Sequence, residues 1–275
     1  MSVLTKLLMS CVLVGSLFLR LDAQEQKEPK SSIQVIPVAR TPEPEAGGIF
    51  IAYPKDEEMI RSNPVWIQVR VQGFALGTDS NFPRAREIAT KKYGQSLHIV
   101  VDNQPLFSYS GLSIDPFDQE GDYYDQTYKF KIPFPLDEGE HIVRIFPARS
   151  FGEGLKGNRY FKEAYFYVGK KTPEYPVNLE RPYLTYNEPS GLFRLRQGEP
   201  ILLDFYIHNC ELSQDGYKVR LTIDGKDKRY LTEWRPYYIY GLKSGTHKIQ
   251  LDLVSKKNKI VKGPFNSVTR EIKID

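Results

Sequence analysis

The side chains of this sequence that could do chemistry lie far apart, and their spacing limits what each could do. Asp115, Asp118, Glu120 and Asp122 crowd one acidic stretch, with Asp125 just beyond. Carboxylate oxygens in a loop suit Ca2+, which takes roughly six to eight oxygen ligands. Gly121 does not stand where a calcium-binding EF-hand loop needs its turn glycine, and no bidentate Glu follows at the required distance. A solvated turn explains the stretch more simply. These four acids are still the best metal candidates in the chain, and no cofactor other than Ca2+ is expected. The histidines, His98, His141, His208 and His247, include no i, i+4 pair and no Cys at zinc-finger spacing. His141 and His247 recur at matching turn-to-strand positions, which favours a structural role with a ring nitrogen bonded to a turn carbonyl. His208 and Cys210 would share one face of a strand. A Cys–His nucleophile also needs a third group to orient the base, and no known local signature supplies one.

Gly152-x-Gly154-x-x-Gly157 spells the dinucleotide fingerprint. That chemistry needs a helix after the glycines, whose N-terminus faces the pyrophosphate. Here the following residues are rich in Tyr and Phe and read as a strand, so the segment is a loop. The chain also contains no G-x-S-x-G, no H-E-x-x-H and no S-x-x-K with its partner motifs. No enzyme is expected.

Binding is the remaining chemistry. Arg149, Glu153 and Lys156 share a charged loop, with Arg159 nearby. Together with Asn103 and Gln104 they are the first candidates for a ligand-binding surface, because recognition concentrates on loops held by a rigid scaffold. A loop laced with ordinary ion pairs is the plainer alternative. Tyr124, Trp234 and Tyr237, with Tyr123 and Tyr238, offer aromatic faces on which a carbohydrate could stack. From Lys171 onward basic residues outnumber acidic ones, and Lys256, Lys257, Lys259 and Lys262 gather on one expected hairpin. The net charge of the whole chain is only +4, too little to argue for nucleic acid.

The elements that must position these residues are strands. Val65, Ile67, Val69 and Val71 alternate with polar neighbours, as do Tyr128, Phe130, Ile132 and Phe134, and again Tyr217, Val219, Leu221 and Ile223. Period two means half-buried strands. Short strands cut by Gly, Pro, Asn and Asp turns mean a sandwich or barrel. Pro83–Tyr93 breaks the pattern and reads as a short inserted helix stopped by Gly94. Lys6, the apolar run Leu7–Leu19 and the small residue Ala23 read as a signal peptide over residues 1–23, its core too short to span a bilayer. Leu8-Met9-Ser10-Cys11 faintly resembles a lipid-attachment box, although the apolar core runs past Cys11. Residues 24–47, rich in Glu, Lys, Pro and Ser, read as a flexible linker. Two β-sandwich domains are then expected, over residues 48–170 and 171–275. After cleavage Cys210 would be the only cysteine, so packing rather than disulfides must supply stability.

The two halves also read as copies of one module. Leu136-x-x-Gly139-x-His141-x-Val143 aligns with Leu242-x-x-Gly245-x-His247-x-Ile249, and farther on Lys156-Gly157 falls on Lys262-Gly263. His98–Asn103 likewise matches Arg220–Gly225, each an apolar strand entering a tight turn. The Leu-x-x-Gly-x-His turn and strand resembles immunoglobulin-like and fibronectin-III-like bacterial modules. LHIVVDNQPL and EGEHIVRIFPARSFGEGLK resemble an uncharacterised class of exported bacterial β-sandwich proteins. The resemblance implies an all-β fold of two tandem immunoglobulin-like domains and no particular activity. Such classes often carry a second His at the position of Ser96, and its absence here weakens any metal role borrowed from them. A non-catalytic binding or interaction protein is expected, exported to the periplasm, cell envelope or medium, with carbohydrate binding as the alternative. Its partner would be an envelope protein or glycan, with no nucleic acid, and with membrane contact only through an uncleaved signal or lipid anchor.

Overall fold

A computed structural model describes residues 33–89, 94–111, 119–122, 125–171 and 178–275. The described chain is almost all β and forms two immunoglobulin-like sandwiches. In the first, strands β2 (Gly48–Tyr53), β4 (Trp66–Gln72), β8 (Asp125–Lys131) and β7 (Gln119–Asp122) form one sheet in that order. Across the core lie β3 (Glu58–Ile60), β10 (Lys162–Val168), β9 (Gly139–Ala148), β5 (Ser96–Val101) and β6 (Phe107–Tyr109), again in spatial order. In the second sandwich, β11 (Tyr183–Glu188), β13 (Ile201–His208), β16 (Tyr237–Tyr240) and β1 (Gln34–Pro37) form the four-stranded sheet. The five-stranded sheet runs β12 (Gly191–Phe193), β18 (Ser267–Ile274), β17 (Gly245–Val254), β14 (Lys218–Ile223) and β15 (Asp227–Leu231).

The two five-stranded sheets follow one plan. β3 joins β10 in parallel as β12 joins β18. The ten-residue strands β9 and β17 each sit between a final strand and an early hairpin strand. Both early hairpins turn on an Asp in the left-handed region, Asp102 at φ 50° and Asp224 at φ 51°. The four-stranded sheets match as well, except at one edge. There β7 of the first sandwich is replaced in the second by β1, which pairs antiparallel with β16. The residues around Gln34–Pro37, expected to be a flexible linker, therefore complete the second sandwich. Hydrogen bonds to an open sheet edge and the packing of Ile33 and Val35 on that core outweigh the polar composition. The helix also differs from expectation. α1 covers only Arg84–Glu87, because Ile88 turns extended and buries its side chain beside Phe151.

Each sandwich has its own apolar core. Ile67, Val69, Ile99, Val143 and Phe166 anchor the first, and Leu203, Phe205, Leu221, Leu251 and Ile272 the second. Four strands, however, are buried along nearly their whole length: β5, β9, β11 and β13. Their second faces meet one another. The five-stranded sheet of the first sandwich packs its outer face on the four-stranded sheet of the second, forming a seam.

Candidate functional site

Alternation along β13 builds the site. Leu203, Phe205 and Ile207 point into the second core, so Leu202, Asp204, Tyr206 and His208 point into the seam. Val100 and Phe146 project from β5 and β9 to meet Tyr206 there, with the rings of Phe146 and Tyr206 centred 4.4 Å apart. Polar groups brought into such a place must find partners, and each of these side chains has at least one, although Asp204 Oδ1 and Arg144 Nε are left without a hydrogen bond. Lys156 Nζ donates to Asp204 Oδ2 at 2.6 Å, and the same oxygen accepts from Gly154 N–H and from Asn187 Nδ2. Asn187 Oδ1 can only accept, so His98 Nδ1, 2.7 Å away, carries the proton of that bond. Arg144 reaches across from β9 to Thr185 Oγ1 at 3.0 Å and stacks 3.9 Å from the centre of the Phe265 ring. A further buried pair joins Arg84 to Glu153, whose carboxylate also accepts from the Thr41 N–H at 2.8 Å.

At one end the seam opens into a cavity of about 370 Å3. Lys156, Asn158 and Phe161 line it from the first sandwich, and Tyr206, His208 and Trp234 from the second. Phe161 lies 5.0 Å from Tyr206 and 4.3 Å from His208, centre to centre. The Trp234 indole is held by its N–H bond to the Phe205 carbonyl at 3.0 Å and by the Arg40 guanidinium 4.6 Å from its ring. The amides of Asn158 and Asn209 stand at the exposed rim. Asn209 Nδ2 already donates to the Leu179 and Arg181 carbonyls and Lys156 to Asp204, so the cavity joins flat aromatic walls to the Asn158 amide and the Asn209 side-chain carbonyl.

The ionisable groups in this cavity are poorly set for proton transfer. Burial, then the nearby Arg144 and Lys156 charges, push the His208 imidazole down to about 3, so it is neutral across the physiological range. Burial lifts the Cys210 thiol to about 11, the opposite of what a nucleophilic thiolate needs. Burial also depresses Lys156, while Asp204 works to keep it charged. A larger cavity of about 420 Å3, walled by Phe151, Leu192, Arg194 and Leu202, has Ala89 on its lining, the residue next to the undescribed 90–93.

The structure redistributes the residues singled out from sequence. Arg149, Glu153 and Lys156 are only 7%, 2% and 5% exposed, so they are not an exposed recognition loop. Their charges are turned inward because the loop is clamped by the segment before β2. Glu43 accepts from the N–H groups of Lys156 and Gly157, and Arg149 donates to the Pro42 carbonyl at 2.7 Å. Of the three, only Lys156 lines the cavity. Asn103 and Gln104 are exposed, and both their backbone carbonyls accept from Arg270 of the second sandwich at 2.9 Å. Trp234 is at the cavity, whereas Tyr237 is buried in the second core, its hydroxyl donating to the Glu233 carbonyl. Tyr124, Asp115 and Asp118 lie outside the described residues, and Glu120 and Asp122 fall on β7. Among the described residues no group of three or more His, Cys, Asp or Glu side chains could hold a metal ion. Gly152–Gly157 is a loop, as expected from its flanks. The sequence reading missed Phe161, Tyr206 and the seam itself. The signal was present in LHIVV and ILLDFYI, whose near-continuous apolar character is that of strands covered on both faces.

No family model matches the chain, and no curated protein matches it. Among solved structures it is similar to the fibronectin(III)-like modules of Clostridium thermocellum CbhA, with 13% identity, a TM-score of 0.27, and coverage of 82% of this chain and 94% of that one. It is also similar to the two tandem V-type regions of VCBP3, a v-region-containing chitin binding protein, with 10% identity, a TM-score of 0.23 and coverage of 83% and 99%. A third is SGBP-B of the Bacteroides ovatus mixed-linkage glucan utilization locus, solved with a mixed-linkage heptasaccharide, at 12% identity, a TM-score of 0.19 and coverage of 83% and 47%. Likenesses this distant say nothing of a ligand or an activity.

Proposed function

We propose that this chain is a non-catalytic, exported binding protein whose recognition site is the cavity at the seam, and that the ligand is a glycan. The observation that carries the reading is the make-up of that cavity. Three aromatic rings from both sandwiches face it, amides rim it, and its imidazole and thiol are locked in their neutral forms. Flat rings bind the C–H faces of sugars, and amides bind their hydroxyls. A hydrolase would instead need a carboxyl, imidazole or thiolate able to change protonation near its working pH. Export rests on the Lys6–Ala23 pattern, and cell fractionation with N-terminal sequencing of the mature chain tests it.

The binding test uses the two tryptophans. In a Trp66→Phe background the only indole is Trp234, so its fluorescence reports on the seam alone. Titration with neutral and acidic oligosaccharides is expected to shift that emission saturably for at least one sugar. Replacing Phe161 with Ala should weaken the interaction by about tenfold or more, the usual weight of an aromatic anchor. A panel of envelope and plant oligosaccharides that leaves the Trp234 signal unchanged would count against a glycan ligand.

A further inference from the structure

The outer face of the first four-stranded sheet carries a second arrangement of aromatic and charged groups, remote from the seam in the layer order. Register places Trp66 opposite Lys131 and Gln68 opposite Lys129, with Tyr53 on the far side of Gln68. Trp66, Gln68, Tyr53, Ala52 and Lys129 line a groove of about 350 Å3. The Lys129 and Lys131 ammonium groups lie 5.0 and 4.7 Å from the centre of the Trp66 ring. Beside the groove, Phe50 on β2 is 52% exposed.

The register brings β7 alongside Asp125–Tyr128 only, so its acids Glu120 and Asp122 share the Asp125 end of this face, and Lys129 and Lys131 lie beyond it. Asp125 is taken by two donors of Arg70 at 2.7 and 2.6 Å and by Gln72 at 3.0 Å, and those hydrogen bonds hold its carboxyl down at about 2. Glu58, near enough to help raise the Tyr53 hydroxyl after burial has done most of it, accepts from the Lys55 N–H at 2.9 Å. Among the described residues neither Lys129 nor Lys131 is in an ion pair, and no bond engages the Gln68 amide. Two like charges gathered over one indole repel each other, and a bound anion would relieve that repulsion. The partly buried Trp66 indole supplies a flat apolar surface beside them.

We infer that this face binds an acidic polysaccharide, a chain of uronate sugars whose carboxylates meet Lys129 and Lys131 while a sugar ring packs on Trp66. An extended ligand suits the site because Lys129 and Lys131 stand two residues apart along one strand, where successive charged units of a chain can meet them. The face and the seam are separate sites, and neither reading depends on the other.

The test is calorimetric titration of the full chain with polygalacturonate oligomers, neutral glucan oligomers of equal length, and anionic phospholipid vesicles. Trp66-dependent binding of polygalacturonate, and no Trp66-dependent binding of neutral glucan, is expected. Trp66→Ala should weaken it by about tenfold or more. Lys129→Gln with Lys131→Gln should weaken it similarly and remove most of its salt dependence. Trp66→Phe, which keeps a ring, should retain most of the affinity and guards against a folding defect in the alanine variant. Each titration is repeated in a Phe161→Ala background, which weakens the seam site, so that binding surviving there belongs to this face. In that background, equal binding of neutral glucan, preference for the vesicles, absence of polygalacturonate binding, or affinity unaffected by Trp66→Ala would each overturn the proposal.

Discussion

His141 and His247 show how one residue can fix a turn twice in a single chain. Each donates Nδ1–H to the Asp of the facing hairpin, Asp102 at 2.8 Å and Asp224 at 2.7 Å, and each places Nε2 2.8 Å from a carbonyl four residues back. Both partners are acceptors, so the ring is best satisfied as an imidazolium. Burial opposes the charge, but the Asp hydrogen bonds and the carbonyls win and raise both groups above the ordinary 6.5 of histidine. Their contribution to stability is therefore complete below about 6.5 and is lost as pH rises through the higher folded value. His208 acts in the opposite sense. It accepts a proton at about 6.5 unfolded but only at about 3 folded, so stability falls as pH drops between those values. Thermal melts across the range about pH 4 to 8 should show both slopes. His208→Asn should flatten the acid side, leaving the part owed to Asp125 and Asp224, and His141→Gln with His247→Gln should flatten the alkaline side. The Lys156–Asp204 pair makes a sharper case. Lys156→Ala leaves a carboxylate buried without its cation, at a cost of about 3–5 kcal/mol, whereas Lys156→Met with Asp204→Asn, which removes the charge and keeps an oxygen for Gly154 N–H and Asn187, should recover much of it. Urea unfolding measures both. The histidine staples were legible in the sequence because they recur at one spacing. Lys156 was not, since nothing local says that a second sandwich will cover its loop.

At the scale of elements, β1 carries the main lesson. The first sandwich supplies its own β7 from the residues just before β8, but the described residues between β15 and β16 include no strand that could play this part. The N-terminal segment fills the vacancy from about two hundred residues away in sequence, a separation that costs loop entropy only logarithmically. It then runs past Trp234, under the Arg149–Gly157 loop and into β2, touching both sandwiches. A chain beginning at Gly48 should consequently lose stability in the second sandwich first, with exposure of Trp234 and of the β16 edge. Val35→Asp, which places a charge against the second core at the Val35–Ile239 pair, should cost about 1–3 kcal/mol. A synthetic peptide covering residues 33–46, added to the truncated chain, should restore the native tryptophan emission. Composition hid this strand: Gln34-Val-Ile-Pro37 is too short and too flanked by charge and proline to stand out, and only the open edge of β16 gives it a reason to be extended. The alternating strands were read correctly because their periodicity is local. The helix was overread at Ile88, because its burial beside Phe151 turns that residue extended where the run of helix formers would continue the turn.

For the molecule as a whole, the seam decides whether two sandwiches behave as two domains or one. Tandem domains with small polar interfaces move independently by default. Here Arg144, Lys156, Asp204 and His98 are buried between the sandwiches, and three apolar patches around Phe151, Phe146 and Tyr183 surround them. Parting the sheets would strand these polar groups from their present partners, a penalty that rewards docking only when it is complete. Unfolding should accordingly be a single transition in which the calorimetric and van't Hoff enthalpies agree, although the chain holds two cores. Phe146→Ala removes the ring between β9 and Tyr206 and should cost about 3–5 kcal/mol. Its more telling effect would be to split the melt in two, the first step freeing one sandwich from the other. Because Phe161 and Lys156 come from one side of the seam cavity and Tyr206, His208 and Trp234 from the other, a ligand bound there links both halves. A saturating ligand should raise the midpoint of the single wild-type transition, and in Phe146→Ala it should draw the two steps back together, since it binds only the docked state. A ligand that stabilised one step of the split melt without moving the other would place its site on a single sandwich.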